Sequence, residues 1–274
     1  MRREPARMTA AFLEAFGLVA GRAGSAALRR AGLIAAHRID AEAARQRDSL
    51  QYHNRHHFAE TILAMGWLCA AACEASLISR RFAAAGVVAM VAHDMVHHRL
   101  GGPKGALEAR SANRARAIAR RAGVSPASAA LIGYVIEGTD PALIRANAAR
   151  ARRLLSPGPH GRAGDLLRVL ANEADVMASF LPKLGLALGD ALAEELRGGG
   201  NCAGGALAAS FTGRLAFLRR YAWFTPPAHA LGLARIVARQ TEALADRARD
   251  LDAMPERARA RALYLDIVRS GYSS

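Results

Sequence analysis

The chain has 274 residues, enough to bury a substantial core without disulfides, and its three cysteines are too few for a disulfide framework. The formal net charge of +15 raises nucleic acid as a partner. However, the basic residues are arginines apart from Lys104 and Lys183, and they are scattered in pairs such as Arg29-Arg30, Arg80-Arg81, Arg120-Arg121, Arg152-Arg153 and Arg219-Arg220. This scatter reads as solvated helix faces, with attraction of anionic substrates as its consequence. No charge-free apolar run reaches membrane-span length and no signal peptide is recognisable, so a cytoplasmic setting without a membrane partner is expected.

Abundant Ala, Leu and Arg, with few β-branched or aromatic residues, predict helix throughout. Apolar positions recur at helical spacing first at Leu13, Phe16, Leu18 and Ala20, within an amino-terminal helical extension over 1–38. A histidine-rich stretch follows at 52–57, then an apolar helix in which Cys69 and Cys73, four apart, read as packing residues. Residues 82–97 are almost wholly apolar from Ala83 to Ala92, and a helix apolar all round belongs in the middle of a bundle. Gly101-Gly102-Pro103 and Ser156-Pro157-Gly158-Pro159 are loops on either side of further helices. Leu166, Leu170, Met177 and Leu181 mark the next amphipathic stretch, closed beyond by Gly198-Gly199-Gly200. Thr225-Pro226-Pro227 predicts another helix start, with Thr225 as cap and Pro226 in the first turn. Together these breakers give about ten segments. The expected fold is all-α, a single helical bundle over 39–250, with a carboxy-terminal helix over 251–274 packed on it.

Of the nine histidines, six lie between positions 53 and 98. One cluster is Tyr52-His53-Asn54-Arg55-His56-His57 and the other is His93-Asp94-Met95-Val96-His97-His98. His93 and Asp94 close the apolar helix, where an ionised aspartate is costly unless a cation compensates it. Imidazole and carboxylate side by side suit a divalent ion. A capped helix end with a buried His–Asp pair explains the dipeptide equally well on its own. His53 and His57 share a face if the helix includes both, with Glu60 near it, and His97 shares one with His93 if that helix continues. Two such clusters at two helix termini shift the balance towards a metal site.

Tyr-His-Asn-x-x-His followed by an apolar helix ending in His-Asp-x-x-His resembles the HD superfamily, in the style of cyclic-nucleotide phosphodiesterase catalytic domains and bacterial HD phosphohydrolases. The resemblance implies an HD/PDEase-like helical bundle and metal ligands at His57, His93 and Asp94. It implies a fourth ligand on a later helix, where Leu170-Ala171-Asn172-Glu173-Ala174-Asp175-Val176 offers Asp175, with Asp165 the weaker competitor. Glu108-Ala109-Arg110-Ser111-Ala112 and Ile136-Glu137-Gly138-Thr139-Asp140 are similar to two further family stretches, which extends the resemblance over 52–176. The implied activity is hydrolysis of a phosphomonoester or phosphodiester, with a nucleotide among the candidates, by a metal-activated water. The implied cofactor is one divalent ion (Mg, Mn, Fe, Co, Ni or Zn), and a second ion would rely on Asp94, with Glu108 in the outer shell. His53 is then the proton donor, His97 a second catalytic candidate, and Arg55 and Arg110 the candidate phosphate holders, with Arg114 beside them. The implied partner is a small phosphorylated substrate; nucleic acid is less favoured, and the oligomeric state is open. The sequence departs from the family in lacking further histidines before the last aspartate, except His160 in a Pro/Gly loop, and in lacking a placeable base-gripping glutamine; nothing places Gln240. Three alternatives stay open: an HD-type di-iron oxygenase, a nucleic-acid-binding or signalling module with a vestigial HD site, and a purely structural helical protein.

Overall fold

In the computed structural model the described residues are 7–20, 25–46, 50–96 and 105–270, and they form an all-α protein without strands. Among the described residues, fifteen α-helices stand where about ten segments were expected. The excess comes from short helices such as Cys202–Ala209, Pro226–Ala230 and Ala248–Ala253, which carry too little periodicity to stand out from the loops around them. Among the described residues no single helix is long and apolar enough to cross a membrane. Cys69 is buried, Cys73 half-buried and Cys202 exposed, all as free thiols.

The chain divides into two compact units, the first formed by Met1–Ser49, His53–Val176 and Thr225–Pro227. Its helices are α1 (Met8–Ala20), α2 (Ala26–Gln46), α3 (Arg55–Glu74), α4 (Arg80–Ala92), α5 (Ala106–Arg121), α6 (Pro126–Glu137), α7 (Ile144–Ala151) and α8 (Gly161–Phe180) as far as Val176. α4 is the central element and packs on α1, α2, α3, α5 and α6. Every residue from Ala83 to Ala92 is buried, as an all-apolar helix in mid-bundle requires. Its start lies two residues before the expected boundary, because the Ser79 hydroxyl caps it by accepting from Phe82 N–H.

Close helix crossings explain two glycines. A Cβ at Gly86 would meet Met65 and Leu167 side chains at 2.7 and 2.9 Å. At Gly66 on α3 a Cβ would lie 2.8 Å from Ala15 Cβ and 2.9 Å from Ala15 Cα on α1. The Ala15 Cα is backbone and cannot rotate away, so Gly66→Ala forces α1 and α3 apart. The expected cost is about 1–3 kcal/mol, read as a lowered urea midpoint at unchanged slope; an unchanged midpoint would show that the crossing has slack.

The second unit comprises Leu50–Tyr52, Met177–Phe224 and Ala228–Ser274. It contains α9 (Pro182–Gly198), α10 (Cys202–Ala209), α11 (Phe211–Arg220), the end of α12 (Pro226–Ala230), α13 (Leu233–Ala245), α14 (Ala248–Ala253) and α15 (Arg257–Ser270). Gly199 closes α9 at the expected Gly198-Gly199-Gly200 break. A buried polar network holds the unit together. The Arg214 Nε donates to the Tyr264 hydroxyl at 3.0 Å, and that hydroxyl donates to Gln240 Oε1 at 2.6 Å. Gln240 Nε2 in turn donates to the carbonyls of Phe180 and Ile236 at 2.6 and 3.0 Å. Gln240 is therefore a fully engaged structural residue, with side-chain donor and acceptor both committed to the protein.

Candidate metal centre

The site is built where the first turn of α3, the end of α4 and the body of α8 meet inside the first unit. α3 begins at Arg55, so His53 lies before the helix and does not share a helical face with His57. The reason is Asn54. Its backbone is extended and its side-chain oxygen accepts from the N–H groups of His56 and His57, so it caps the helix and ends it there. The chain still folds His53 back onto His57, with ring centroids 5.5 Å apart.

At the end of α4, His93 is the C-cap and remains in the right-handed helical region. Its Nδ1 lies 2.9 Å from the Met90 carbonyl, which can only accept, so Nδ1 carries the hydrogen and the Nε2 lone pair faces the site when the ring is neutral. The turn that follows is braced from α5, where the Ser111 hydroxyl accepts from Val96 N–H at 3.4 Å. His97 lies outside the described residues, as does the predicted loop at 101–103.

Three polar residues of the Asn172–Asp175 stretch fan around α8, each with a separate task. Asn172 donates to the Gly138 carbonyl at 2.8 Å and accepts from Asn147, fixing the turn after α6. Glu173 accepts from the Thr225 N–H at 2.7 Å and from its hydroxyl at 2.6 Å, so the Thr225 hydroxyl serves Glu173. Asp175 turns towards the histidines, with Oδ1 3.2 Å from His57 Nε2 and 3.3 Å from His93 Nε2. Asp165 lies elsewhere, accepting from the Tyr134 hydroxyl and the Gly158 N–H, where it closes the Pro/Gly loop.

Asp94 completes the cluster. Its Oδ2 lies 3.3 Å from His93 Nε2, 3.8 Å from His57 Nε2 and 3.9 Å from His53 Nε2. Ligand atoms of His57, His93 and Asp175 lie within 4.8 Å of one another, as do those of His53, His57 and Asp94. Two ligands each about 2.1 Å from one ion are separated by roughly 3.0–3.4 Å in adjacent tetrahedral or octahedral positions. Three of the four contacts among His57, His93, Asp94 and Asp175 match that spacing. His93 Nε2 is fully buried and makes no hydrogen bond to a described residue, although two carboxylate oxygens lie 3.3 Å away. A buried nitrogen left in this state fits a cation held between it and the acids.

The electrostatics agree. Burial alone would lower the His93 pKa, but Asp94 and Asp175 outweigh it and hold the pKa well above the ordinary value. Burial would raise the Asp175 pKa, yet His57 and His93 pull it far below the usual carboxylate range. A proton on the His93 ring thus fills the electrostatic role that a cation would take. Glu108, in the first turn of α5, is raised by burial and by the field of Asp140, Asp94 and Asp175. Arg110 is exposed and two residues further on, across the helix from Glu108, and Arg114 is also exposed. Arg55 lies 3.9 Å from Asp40 on α2.

Glu173 provides a pH test of this α8 segment. Burial raises its pKa from 4.5 to about 7, against the lowering effect of the two Thr225 bonds. Below pH 4.5 folded and unfolded chains both hold the proton. Between pH 4.5 and about 7 the unfolded chain loses it first, so stability falls as pH rises, by on the order of 3 kcal/mol in total. Glu173→Gln removes this dependence, so the difference in melting temperature between variant and parent should grow in favour of the variant across that window. Parallel pH profiles would contradict the assignment.

No protein-family model and no curated protein matches the sequence. Among solved structures, the chain is similar to the phosphodiesterase domain of the RhoPDE fusion protein from the choanoflagellate Salpingoeca rosetta, with a TM-score of 0.58 and 12% identity over 100% of this chain and 95% of that one. At that identity the likeness is one of fold, and the chain has the all-α architecture of a phosphodiesterase domain.

Proposed function

We propose that this chain is a phosphohydrolase of the HD superfamily that hydrolyses a phosphate ester with a divalent ion held by His57, His93, Asp94 and Asp175. The observation that carries this reading is the meeting of two imidazole Nε2 atoms and two carboxylates, from α3, α8 and the turn after α4, at 3.2–3.8 Å. The fold shared with a phosphodiesterase domain supports the same chemistry.

A divalent ion at this position supplies Lewis acidity, easing deprotonation of a water and neutralising phosphoryl charge. The protein's own part follows from exposure. The side chains of His57 and His93 are 4% and 0% exposed, suited to fixed ligands, whereas that of His53 is 16% exposed at the edge of the cluster. A proton donor must be recharged from solvent after each turnover, so His53 is assigned to protonate the leaving oxygen. The Met90 carbonyl fixes the His93 tautomer, and the Asn54 cap holds His53 outside α3 beside His57. Glu108 is assigned an outer-shell role, Arg55 contact with substrate phosphate, and His97 the reserve proton donor; Arg110, exposed on the face of α5 opposite Glu108, is left out of the site.

The test is a panel of phosphomonoesters, linear phosphodiesters and cyclic nucleotides, assayed with Mg, Mn, Co, Ni, Zn or Fe after chelator treatment, alongside metal analysis of the purified chain. Hydrolysis that appears only with an added ion supports the reading. Oxygen-dependent turnover with iron would replace it with the oxygenase alternative.

A further inference from the structure

The end of α4 remote from His93 carries a feature that the proposed chemistry does not use. A cavity of about 450 Å³ opens there, lined among others by Leu28 of α2, Arg80 and Arg81 of α4, and Val124, Ser125 and Ser128 around the α5–α6 turn. That volume is within the roughly 300–1,000 Å³ typical of small-molecule sites. Leu28 and Val124 are buried apolar side chains, whereas both arginines are exposed.

The arginines are fixed in place, and every acceptor that fixes them is neutral. Arg81 Nη2 donates to the hydroxyls of Ser125 and Ser128 at 3.0 and 3.2 Å. Arg80 Nη1 donates to the Val19 carbonyl at 3.3 Å, and Arg30 Nη2, near Gly123 of the lining, donates to the Ala122 carbonyl at 3.0 Å. Among the described residues no carboxylate lies within 4.0 Å of Arg30, Arg80 or Arg81. Arg116, by contrast, is paired with Glu137, and Arg257 and Arg261 with Asp190, while Arg214, also held by neutral acceptors, is buried. The positive charge belongs to side chains and not to the helix ends, because Ser79 and Ser125 already cap α4 and α6.

Guanidiniums oriented by neutral oxygens keep their net charge and most of their N–H donors, the arrangement that binds phosphoryl oxygens. We propose that this groove is a second ligand site that takes a phosphate-bearing small molecule, its phosphoryl group held by Arg80 and Arg81 and its organic part against Leu28 and Val124. The 13 residues of α4 separate it from the His/Asp cluster by about 20 Å. It is independent of the hydrolytic reading.

The test is calorimetric titration of the full chain in chelator, so that no ion draws phosphate to the cluster, with inorganic phosphate, pyrophosphate, AMP and adenosine as probes. Saturable binding of at least one of the three phosphorylated probes is expected, with adenosine at least roughly tenfold weaker than AMP. The double variant Arg80→Gln/Arg81→Gln should weaken binding roughly 10- to 100-fold, the equivalent of one or two lost charge-assisted bonds. Ser125→Asp keeps a helix-capping oxygen while adding a negative charge beside Arg81, and should weaken it similarly; it decides the matter if the double variant does not fold. Asp94→Asn should leave the affinity unchanged. Absence of binding by all three phosphorylated probes at millimolar concentration would overturn the proposal. So would affinity unchanged in Ser125→Asp, or affinity lost in Asp94→Asn alone.

Discussion

Asp94→Ala is expected to abolish bound metal and hydrolysis together. Asp94 Oδ2 lies within 3.9 Å of all three cluster histidines, so it is the carboxylate around which the imidazoles gather. Its removal leaves Asp175 as the one charged ligand beside two buried rings. Losing an outer-shell partner typically lowers metal affinity or activity roughly 10- to 100-fold; losing a charged ligand should exceed that. Metal per chain and turnover, measured on one preparation with helix content as control, check the result. A variant that keeps stoichiometric metal and parental turnover would remove Asp94 from the site.

His53→Asn separates the proton donor from the ligands. The variant should keep its metal while turnover falls by roughly 10²–10⁴-fold, the usual range for a lost general acid. The deficit should shrink on a nitrophenyl ester, whose leaving oxygen needs no proton. His53, His57 and Asp94 also form a group with ligand atoms close enough to bind an ion, so loss of metal in this variant would make His53 a ligand. Retained metal and full activity on a poor leaving group would move the acid elsewhere, with His97 the next candidate.

Much of this arrangement was legible before the structure because it rests on local pattern. The all-helical class follows from composition, and the burial of Ala83–Ala92 from a stretch with no polar face. The positions His57, His93, Asp94 and Asp175 come from the order of motifs along the chain, and the structure brings their side chains together. The condition for His53 and His57 to share a helical face is not met, for a local reason: Asn followed by a helical run is an N-cap, so Asn54 excludes His53 from the helix. Long-range pairings were not legible. Nothing near Glu173 announces Thr225, 52 residues on, and nothing near Gln240 announces Arg214 or Tyr264. The boundary between the two units at Val176 falls inside the continuous helix α8, where no glycine, proline or change of composition marks it. The family-like stretches around Ser111 and Thr139 have structural tasks: Ser111 supports the turn after His93-Asp94, and the Thr139 hydroxyl donates to Ile136 at the end of α6.

The most direct measurement is an anomalous difference map from crystals grown with zinc. The account predicts a peak about 2.0–2.2 Å from Nε2 of His57, Nε2 of His93 and one oxygen each of Asp94 and Asp175. A map with no peak between these four side chains, or with an ion there that Asp175 does not touch, would contradict it.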